Sequence, residues 1–85
     1  MQSLWLVYIV RCDDDTLYTG ITIDIDKRLT EHNSSDVGAK YTKGRRPVAL
    51  VYSEPAGSRS EAASRENQIK KMSRSAKLAL IAGRK

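Results

Sequence analysis

The first half of the chain alternates between apolar runs and short polar interruptions. Residues 4–10 form a continuous run of β-prone side chains, three aspartates follow at 13–15, and β-branched and aromatic residues return over 16–22. Two β-prone runs joined by a short polar turn are typical of a β-hairpin. Residues 48–53 form a third such run, which a Pro-Ala-Gly turn at 55–57 is expected to end. The pattern therefore predicts three strands.

Apolar residues at helical spacing predict helices around these strands. Asp24 is a favourable N-cap ahead of Ile25 and Leu29, so a first helix is expected to continue to about His32. Later in the chain, cap residues indicate two more helices.

The capping box Ser58-x-x-Glu61 is expected to open a helix that continues to about Met72, and Ser75 is the expected cap of a short last helix that Gly83 closes. The predicted order is ββαβαα. With 85 residues, the chain is expected to form a single domain over 1–85.

The small size and the cysteine usage limit the chemistry. A core this thin disfavours large internal cofactors such as flavin, haem or a dinucleotide. Cys12 is the only cysteine and His32 the only histidine, which excludes an intrachain disulfide and a Cys/His zinc site. There is no signal-like N-terminus and no apolar run of the roughly 18–20 residues that span a bilayer. We therefore expect a cytoplasmic protein that is not embedded in a membrane.

Positive charge is concentrated in the second half of the chain. The net charge is +5 overall, but residues 1–38 carry three basic and seven acidic side chains, whereas residues 39–85 carry twelve and three. The segment 38–47 has a cation at four of ten positions and two glycines, which predicts an exposed, mobile basic loop. Clustered cations favour a polyanionic partner, and a solvated charged surface is the alternative.

One acidic side chain interrupts the apolar face of the helix expected after Ser58. At 100° per residue, Glu66 projects within about 60° of both Ala62 and Ile69, on the apolar side of the helix. An ionised carboxylate that is buried without a partner is strongly unfavourable. Glu66 is therefore either half of a buried ion pair with an arginine, or a metal ligand or acid/base group.

Further polar groups are expected on one face of the hairpin. Arg28 and His32 project onto the same sector of the first helix as its apolar residues, although an arginine there can also extend its charged end to solvent. Tyr8 and Tyr18 lie in neighbouring strands, and pairing symmetric about the acidic turn would place them almost opposite each other. Core packing explains single strand tyrosines. Two phenols, an arginine, a histidine and a carboxylate together are too polar for a core and favour a phosphate-cleaving site.

These residues together resemble the GIY-YIG nuclease superfamily, and in particular its small single-domain bacterial members. The matching segments are Leu6–Val10, Tyr18–Thr22, Asp26–Leu29 with His32, and Arg65–Glu66, with a spacing of ten from Tyr8 to Tyr18 and again to Arg28. The resemblance implies an α+β fold in which a small three-stranded antiparallel β-sheet is flanked by helices. That fold agrees with the predicted order ββαβαα.

The resemblance also implies a metal-dependent hydrolysis of phosphodiester bonds in DNA, with RNA as the alternative polymer. The implied catalytic residues are Tyr8, Tyr18, Arg28, His32 and Glu66, with Gly20 as the motif glycine. Glu66 would hold a single divalent ion, Mg²⁺ or Mn²⁺, and either tyrosine would orient or deprotonate the attacking water. The expected nucleic-acid contacts are Lys40, Tyr41, Lys43, Arg45, Arg46, Lys70, Lys71 and Arg74.

Several positions depart from the family pattern. Leu6-Val7-Tyr8 stands for Gly-Ile-Tyr and Tyr18-Thr19-Gly20 for Tyr-Ile-Gly, while Ile21 replaces a polar residue that many members carry. We expect specificity for structure or ends, a role in repair or recombination, and a protein partner for targeting. The alternative is a nucleic-acid-binding module with the same fold and little catalytic activity.

Overall fold

The computed structural model describes residues 4–34 and 44–83. Its elements in chain order are β1 (Trp5–Arg11), β2 (Leu17–Thr22), α1 (Ile25–Ser34), β3 (Ala49–Ala56), α2 (Arg59–Lys70) and α3 (Arg74–Ala82). The order ββαβαα and the three-stranded antiparallel sheet are therefore confirmed. The part of the expected basic loop that spans 38–43 lies outside the described residues.

The sheet separates two layers of helices. Its strand order is β2-β1-β3, so the most apolar strand occupies the centre, antiparallel to both neighbours. Val7 and Ile9 point to one side, where they pack with Ala62 and Ile69 of α2. The side chains that alternate with them point to the other side, towards α1. We call these two sides the α2 face and the α1 face.

The acidic turn between β1 and β2 is held by local and distant contacts. Asp15 has a φ of 67°, a left-handed conformation that tight turns require. The Asp14 carboxylate accepts hydrogen bonds from Thr16, at 2.6 Å from its Oγ1, and from Arg45, at 3.0 Å from its Nε. Asp15 lies 3.2 Å from Nη2 of Arg74. The turn is solvent-exposed, as expected, but Asp14 and Asp15 are also ion-paired.

The third strand is longer than the sequence pattern predicts. β3 continues to Ala56 and includes Pro55, which is paired in register with Leu6. The predicted turn at 55–57 is therefore wrong in its first two residues. A proline has no N–H to donate, but β3 is an edge strand, and a strand edge tolerates proline.

Helix caps follow the sequence at α1, where Asp24 accepts from the N–H of Lys27 at 3.1 Å, and at α2, but differ at α3. Ser58 caps α2 by accepting from the N–H of Glu61 at 3.2 Å, as predicted, and the Glu61 carboxylate accepts from the N–H of Gly57. The cap of α3 is Ser73, which accepts from the N–H of Ala76 at 3.1 Å, and not Ser75. Among the helices of the described segments, none has the length and apolar character needed to cross a bilayer.

Candidate active site

The centre of the candidate site is a buried pair of polar rings. The hydroxyl oxygen of Tyr8, on β1, lies 2.8 Å from Nε2 of His32, near the end of α1. Their side chains are fully enclosed, with 1% and 0% of their surface exposed. Burial removes both groups from bulk water, so the hydrogen bond between them replaces the hydrogen bonds that water would otherwise provide. The structure thus brings together the predicted strand tyrosine and helix histidine.

Gly20 makes room for this pair. The register of the hairpin places Gly20 of β2 directly opposite Tyr8. A Cβ atom on Gly20 would lie 2.5 Å from the Tyr8 hydroxyl oxygen and 2.7 Å from its Cζ. The phenol ring of Tyr8 therefore lies across the backbone of β2, in the space that any side chain at position 20 would occupy.

Tyr18 is on the same face but is not opposite Tyr8. The observed register pairs Tyr18 with Val10, so the two tyrosines are offset by two residues along the hairpin. The expectation that they lie almost opposite each other is wrong because the turn centre falls at Asp14, one residue later than a symmetric Tyr8–Tyr18 pair requires. The ring of Tyr18 contacts His32 edge-on, with centroids 5.4 Å apart. His32 therefore contacts both tyrosine rings.

Arg28 lies one helical turn before His32 and joins the same group. Its guanidinium lowers the pKa of the Tyr8 phenol, which places the two groups close together, and its Nη1 donates to Oε1 of Glu31 at 2.9 Å. Arg28 also lines an open cleft of about 290 Å³, bordered by Ile23 and Lys27 among others. The arginine therefore reaches from the buried tyrosine to the protein surface, and the alternative of a purely solvent-directed side chain is not what the structure shows.

The electrostatics of the pair favour neutral forms. Burial raises the pKa of the Tyr8 phenol, and the charges of Tyr18 and Glu66 add to this, while Arg28 opposes it. Burial also lowers the pKa of His32 below its ordinary value of 6.5, and the positive charge of Arg28 lowers it further. At neutral pH the site therefore holds a protonated phenol beside an uncharged imidazole.

Glu66 approaches the site from the other layer. On α2 it lies on the opposite flank of the apolar stripe from Arg65, which bonds to Glu54 of β3. The negative charge of Glu66 contributes to raising the pKa of the Tyr8 phenol. Its side chain is 18% exposed and its Oε2 lies 3.2 Å from Nζ of Lys70. Glu66 is thus paired with a lysine of its own helix and not with an arginine.

A divalent metal ion would find one protein carboxylate here. Within residues 4–34 and 44–83, no three His, Cys, Asp or Glu side chains lie close enough together to hold a metal. Mg²⁺ retains several waters and often takes only one or two carboxylates plus substrate phosphate oxygens. The partly exposed carboxylate of Glu66 fits such a singly held Mg²⁺ or Mn²⁺, in competition with Lys70.

The predicted nucleic-acid contacts fall into four groups. Arg45, Lys70 and Arg74 form ion pairs with Asp14, Glu66 and Asp15 respectively. Lys71 is exposed at the end of α2. Arg46 is partly buried and donates from Nε to the backbone oxygen of His32 at 2.6 Å. Lys40, Tyr41 and Lys43 lie outside the described residues.

Two polar residues of α1 are functional candidates that the sequence pattern did not single out. Glu31 follows Arg28 by three positions, a spacing at which opposite charges meet on a helix, and this signal was available in the sequence. Asn33 pairs with both backbone groups of Val48, fifteen residues away, and local spacing carries no sign of that contact.

Comparison with known proteins gives the same class as the site geometry. The sequence-family model of the GIY-YIG catalytic domain matches residues 4–79. The chain therefore belongs to the GIY-YIG family of the nuclease superfamily. The resemblance inferred from the residues is confirmed.

Within this family the chain is similar to UPF0213 proteins. It is 63% identical over 75 residues to the one from Syntrophus aciditrophicus, covering 88% of this chain and 86% of that protein. It is 58% identical over 80 residues to the one from Desulfotalea psychrophila, covering 94% and 73%. The solution NMR structure of the UPF0213 protein BH0048 from Bacillus halodurans matches with a TM-score of 0.59 and 42% identity, covering 93% of this chain and 83% of that one.

Proposed function

We propose that this protein is a cytoplasmic, metal-dependent nuclease that hydrolyses phosphodiester bonds in DNA, with specificity for structure or ends and a role in repair or recombination. The observation that carries the proposal is the buried hydrogen bond between Tyr8 and His32, with the guanidinium of Arg28 near the same hydroxyl. A purely structural core has little use for a histidine and an arginine converging on one phenol.

The pair supports a proton relay. The relay uses the tautomer in which Nε2 of His32 carries no proton, so that the Tyr8 hydroxyl donates its proton to that nitrogen. In the proposed step, the Tyr8 oxygen takes a proton from the attacking water while its own proton passes to His32. The neutral imidazole becomes imidazolium, and the hydroxide oxygen forms the new bond to phosphorus. This arrangement favours Tyr8 over Tyr18 as the base, because the relay to Nε2 starts at the Tyr8 hydroxyl.

Arg28 and Glu66 would act on the phosphate itself. The planar guanidinium of Arg28 is suited to two phosphoryl oxygens and lies at the border of the surface cleft. Glu66 would hold Mg²⁺ or Mn²⁺, which, when bound, would neutralise charge on a phosphoryl oxygen. Tyr18, in edge contact with His32, would help to orient the water.

The proposed binding surface consists of the basic side chains around this site. Lys40, Tyr41, Lys43, Arg45, Lys70, Lys71 and Arg74 stay predictions as contacts to the polymer backbone. Arg46, which was predicted with them, is instead bonded to the backbone of His32. Backbone contacts of this kind carry no sequence information, which is consistent with selection by structure or by a targeting partner protein.

Cleavage of labelled oligonucleotides tests the proposal. Single-stranded, duplex and branched DNA, and RNA, would be incubated with the protein in Mg²⁺, in Mn²⁺ and in EDTA. We expect cleavage that EDTA abolishes and that Glu66→Gln reduces at least about 100-fold. Glu61→Gln is the matched control, because it makes the same change on the same helix at an exposed position. Equal cleavage by the Glu66→Gln variant and the natural chain would contradict the assignment.

A nucleic-acid-binding module without catalysis is the second candidate. The observation that favours it is the ion pair between Glu66 and Lys70, which gives this carboxylate a structural partner. If no substrate is cut in any metal while DNA binding persists and weakens steeply with salt, this second function replaces the first.

A further inference from the structure

The end of the expected basic loop and the residue after it are attached to two consecutive residues of α1, His32 and Asn33. Nε of Arg46 donates to the backbone oxygen of His32 at 2.6 Å. The side chain of Asn33 accepts from the N–H of Val48 at 2.7 Å and donates to its C=O at 3.1 Å. We call these three hydrogen bonds the Arg46–Asn33 clamp.

One hydrogen bond of the clamp satisfies a backbone group that has no partner within the helix. The last four carbonyls of an α-helix have no intrahelical donor, and His32 is among the last residues of α1. The guanidinium of Arg46 supplies the donor and also places a positive charge at the negative end of the helix. The backbone of His32 is thereby fixed from the side of β3, while its imidazole is fixed by Tyr8.

Both ends of the clamp are anchored in the core. Val48 is 5% exposed and belongs to the apolar cluster of the α1 face, together with Tyr8. The amide of Asn33 matches the donor and acceptor of one peptide unit, which fixes the distance between α1 and the start of β3. The position of His32 relative to Tyr8 is therefore fixed by the hydrogen bond to its imidazole and also by the attachment of the end of α1 to the start of β3.

The neighbouring arginine is directed elsewhere. Arg45 pairs with Asp14 at 3.0 Å, and its backbone oxygen accepts from the N–H of Asp13 at 2.8 Å. Its side chain is 38% exposed. Consecutive arginines thus have different surroundings: Arg45 lies at the surface beside the acidic turn, and Arg46 lies against the helix.

We infer that Arg46 and Asn33 are positioning residues that hold His32 against Tyr8, and that Arg46 acts through α1 and not as a contact to the nucleic-acid backbone. As a role in catalysis, this inference rests on the proposed function. As a statement about His32, it can be tested without any cleavage.

Two neutral substitutions at position 46 separate the roles. In Arg46→Gln, the amide nitrogen stands at the same number of bonds from Cα as Nε of arginine, so a donor to His32 is retained while the charge is lost. Arg46→Ala loses both. A positioning role predicts that Gln keeps the single-turnover cleavage rate within about threefold, whereas Ala lowers it about 10–100-fold. A role as phosphate contact predicts that both variants weaken binding of a labelled duplex equally, with a salt slope smaller by about one.

NMR gives a readout that does not depend on activity. Because His32 is the only histidine, ¹⁵N-histidine labelling reports on this one imidazole. The inference predicts one fixed tautomer in the natural chain and in Arg46→Gln, and converging nitrogen signals in Arg46→Ala. Arg59→Ala, at an exposed arginine stacked over Trp5 on the α2 face, is the control for loss of charge.

Asn33→Asp keeps the folded structure accessible if Arg46→Ala fails to fold. The aspartate retains the acceptor for the Val48 N–H but loses the donor to its C=O, so the His32 signals should shift part of the way. Unchanged His32 signals in both Arg46→Ala and Asn33→Asp would overturn the inference. If the natural chain cuts no substrate but the signals respond as stated, the proposed function fails while the positioning of His32 stands.

Discussion

Replacement of Gly20 by alanine tests the geometry of the site most simply, because it adds a single methyl group. The new Cβ would lie 2.5 Å from the Tyr8 hydroxyl oxygen and 2.7 Å from Cζ. Tyr8 cannot yield easily, since it is 1% exposed and His32 contacts it at 2.8 Å. The ring must therefore move away from its hydrogen-bond partner, or the two strands must separate.

The expected cost has two parts. Overpacking of a close-packed core costs about 1–3 kcal/mol. Loss of the buried hydrogen bond adds about 1 kcal/mol. We therefore expect Gly20→Ala to lower the free energy of unfolding by about 2–4 kcal/mol, a large share of what a small domain has. With a urea m-value of about 1 kcal/mol/M, the midpoint should fall by about 2 M or more.

Gly44→Ala is the matched control for this measurement. A Cβ on Gly44 would meet no described heavy atom within 4 Å, and its φ is not in the left-handed region. The same substitution should therefore be neutral, or stabilising by up to about 1 kcal/mol, through the unfolded chain. If Gly20→Ala unfolds at the same urea concentration as Gly44→Ala, with unchanged His32 imidazole signals, the contact between Tyr8 and position 20 is refuted.

Three further changes have outcomes that the structure specifies. Thr19 has a buried hydroxyl with no hydrogen-bond partner among the described residues, so Thr19→Val should raise the free energy of unfolding by about 1 kcal/mol, while Thr30→Val on exposed helix surface should not. Burial lowers the pKa of His32, so at acid pH the unfolded chain binds more protons than the folded chain. The urea midpoint should therefore be highest above about pH 6.5 and should fall as the pH drops through the lower folded-state pKa. This decline should be smaller in the His32→Gln variant. Asp14→Asn removes the surface ion pair to Arg45; binding of labelled duplex DNA should tighten about two- to fivefold at low salt, and unchanged affinity would argue against Arg45 as a contact.

Local signals in the sequence identified most of the secondary structure, but tertiary contacts decided the ends of the elements. The Ser58 cap of α2 depends on hydrogen bonds within three residues, and it was predictable. Two serines near the start of α3 could cap it, and the structure uses Ser73, which accepts from the N–H of Ala76, and not Ser75. Strand β3 extends through Pro55 because it has a neighbour on only one side, which local propensity does not reveal.

In the candidate site, too, some contacts were predictable from local sequence and others depend on tertiary structure. Spacing and the family resemblance together indicated that Tyr8, Arg28 and His32 converge, since strand and helix periods fix the direction of each side chain. The partner of Glu66 was also within reach of the sequence, because Lys70 is four residues later on the same helix. The direction of Arg46 was not, since its contact to His32 spans fourteen residues and depends on how the loop returns to the helix.

The cleavage rate of labelled duplex DNA by the Tyr8→Phe variant tests the proposed catalytic pair most directly. The substitution removes one oxygen atom and leaves the ring over Gly20, and Tyr52→Phe makes the same change on the α2 face, where the hydroxyl bonds to Glu54. With Mg²⁺ present and both variants shown to be folded, we predict that Tyr8→Phe lowers the single-turnover rate by about 10²–10⁴-fold and that Tyr52→Phe leaves it nearly unchanged. Equal rates for Tyr8→Phe and the natural chain would contradict the proton relay between Tyr8 and His32.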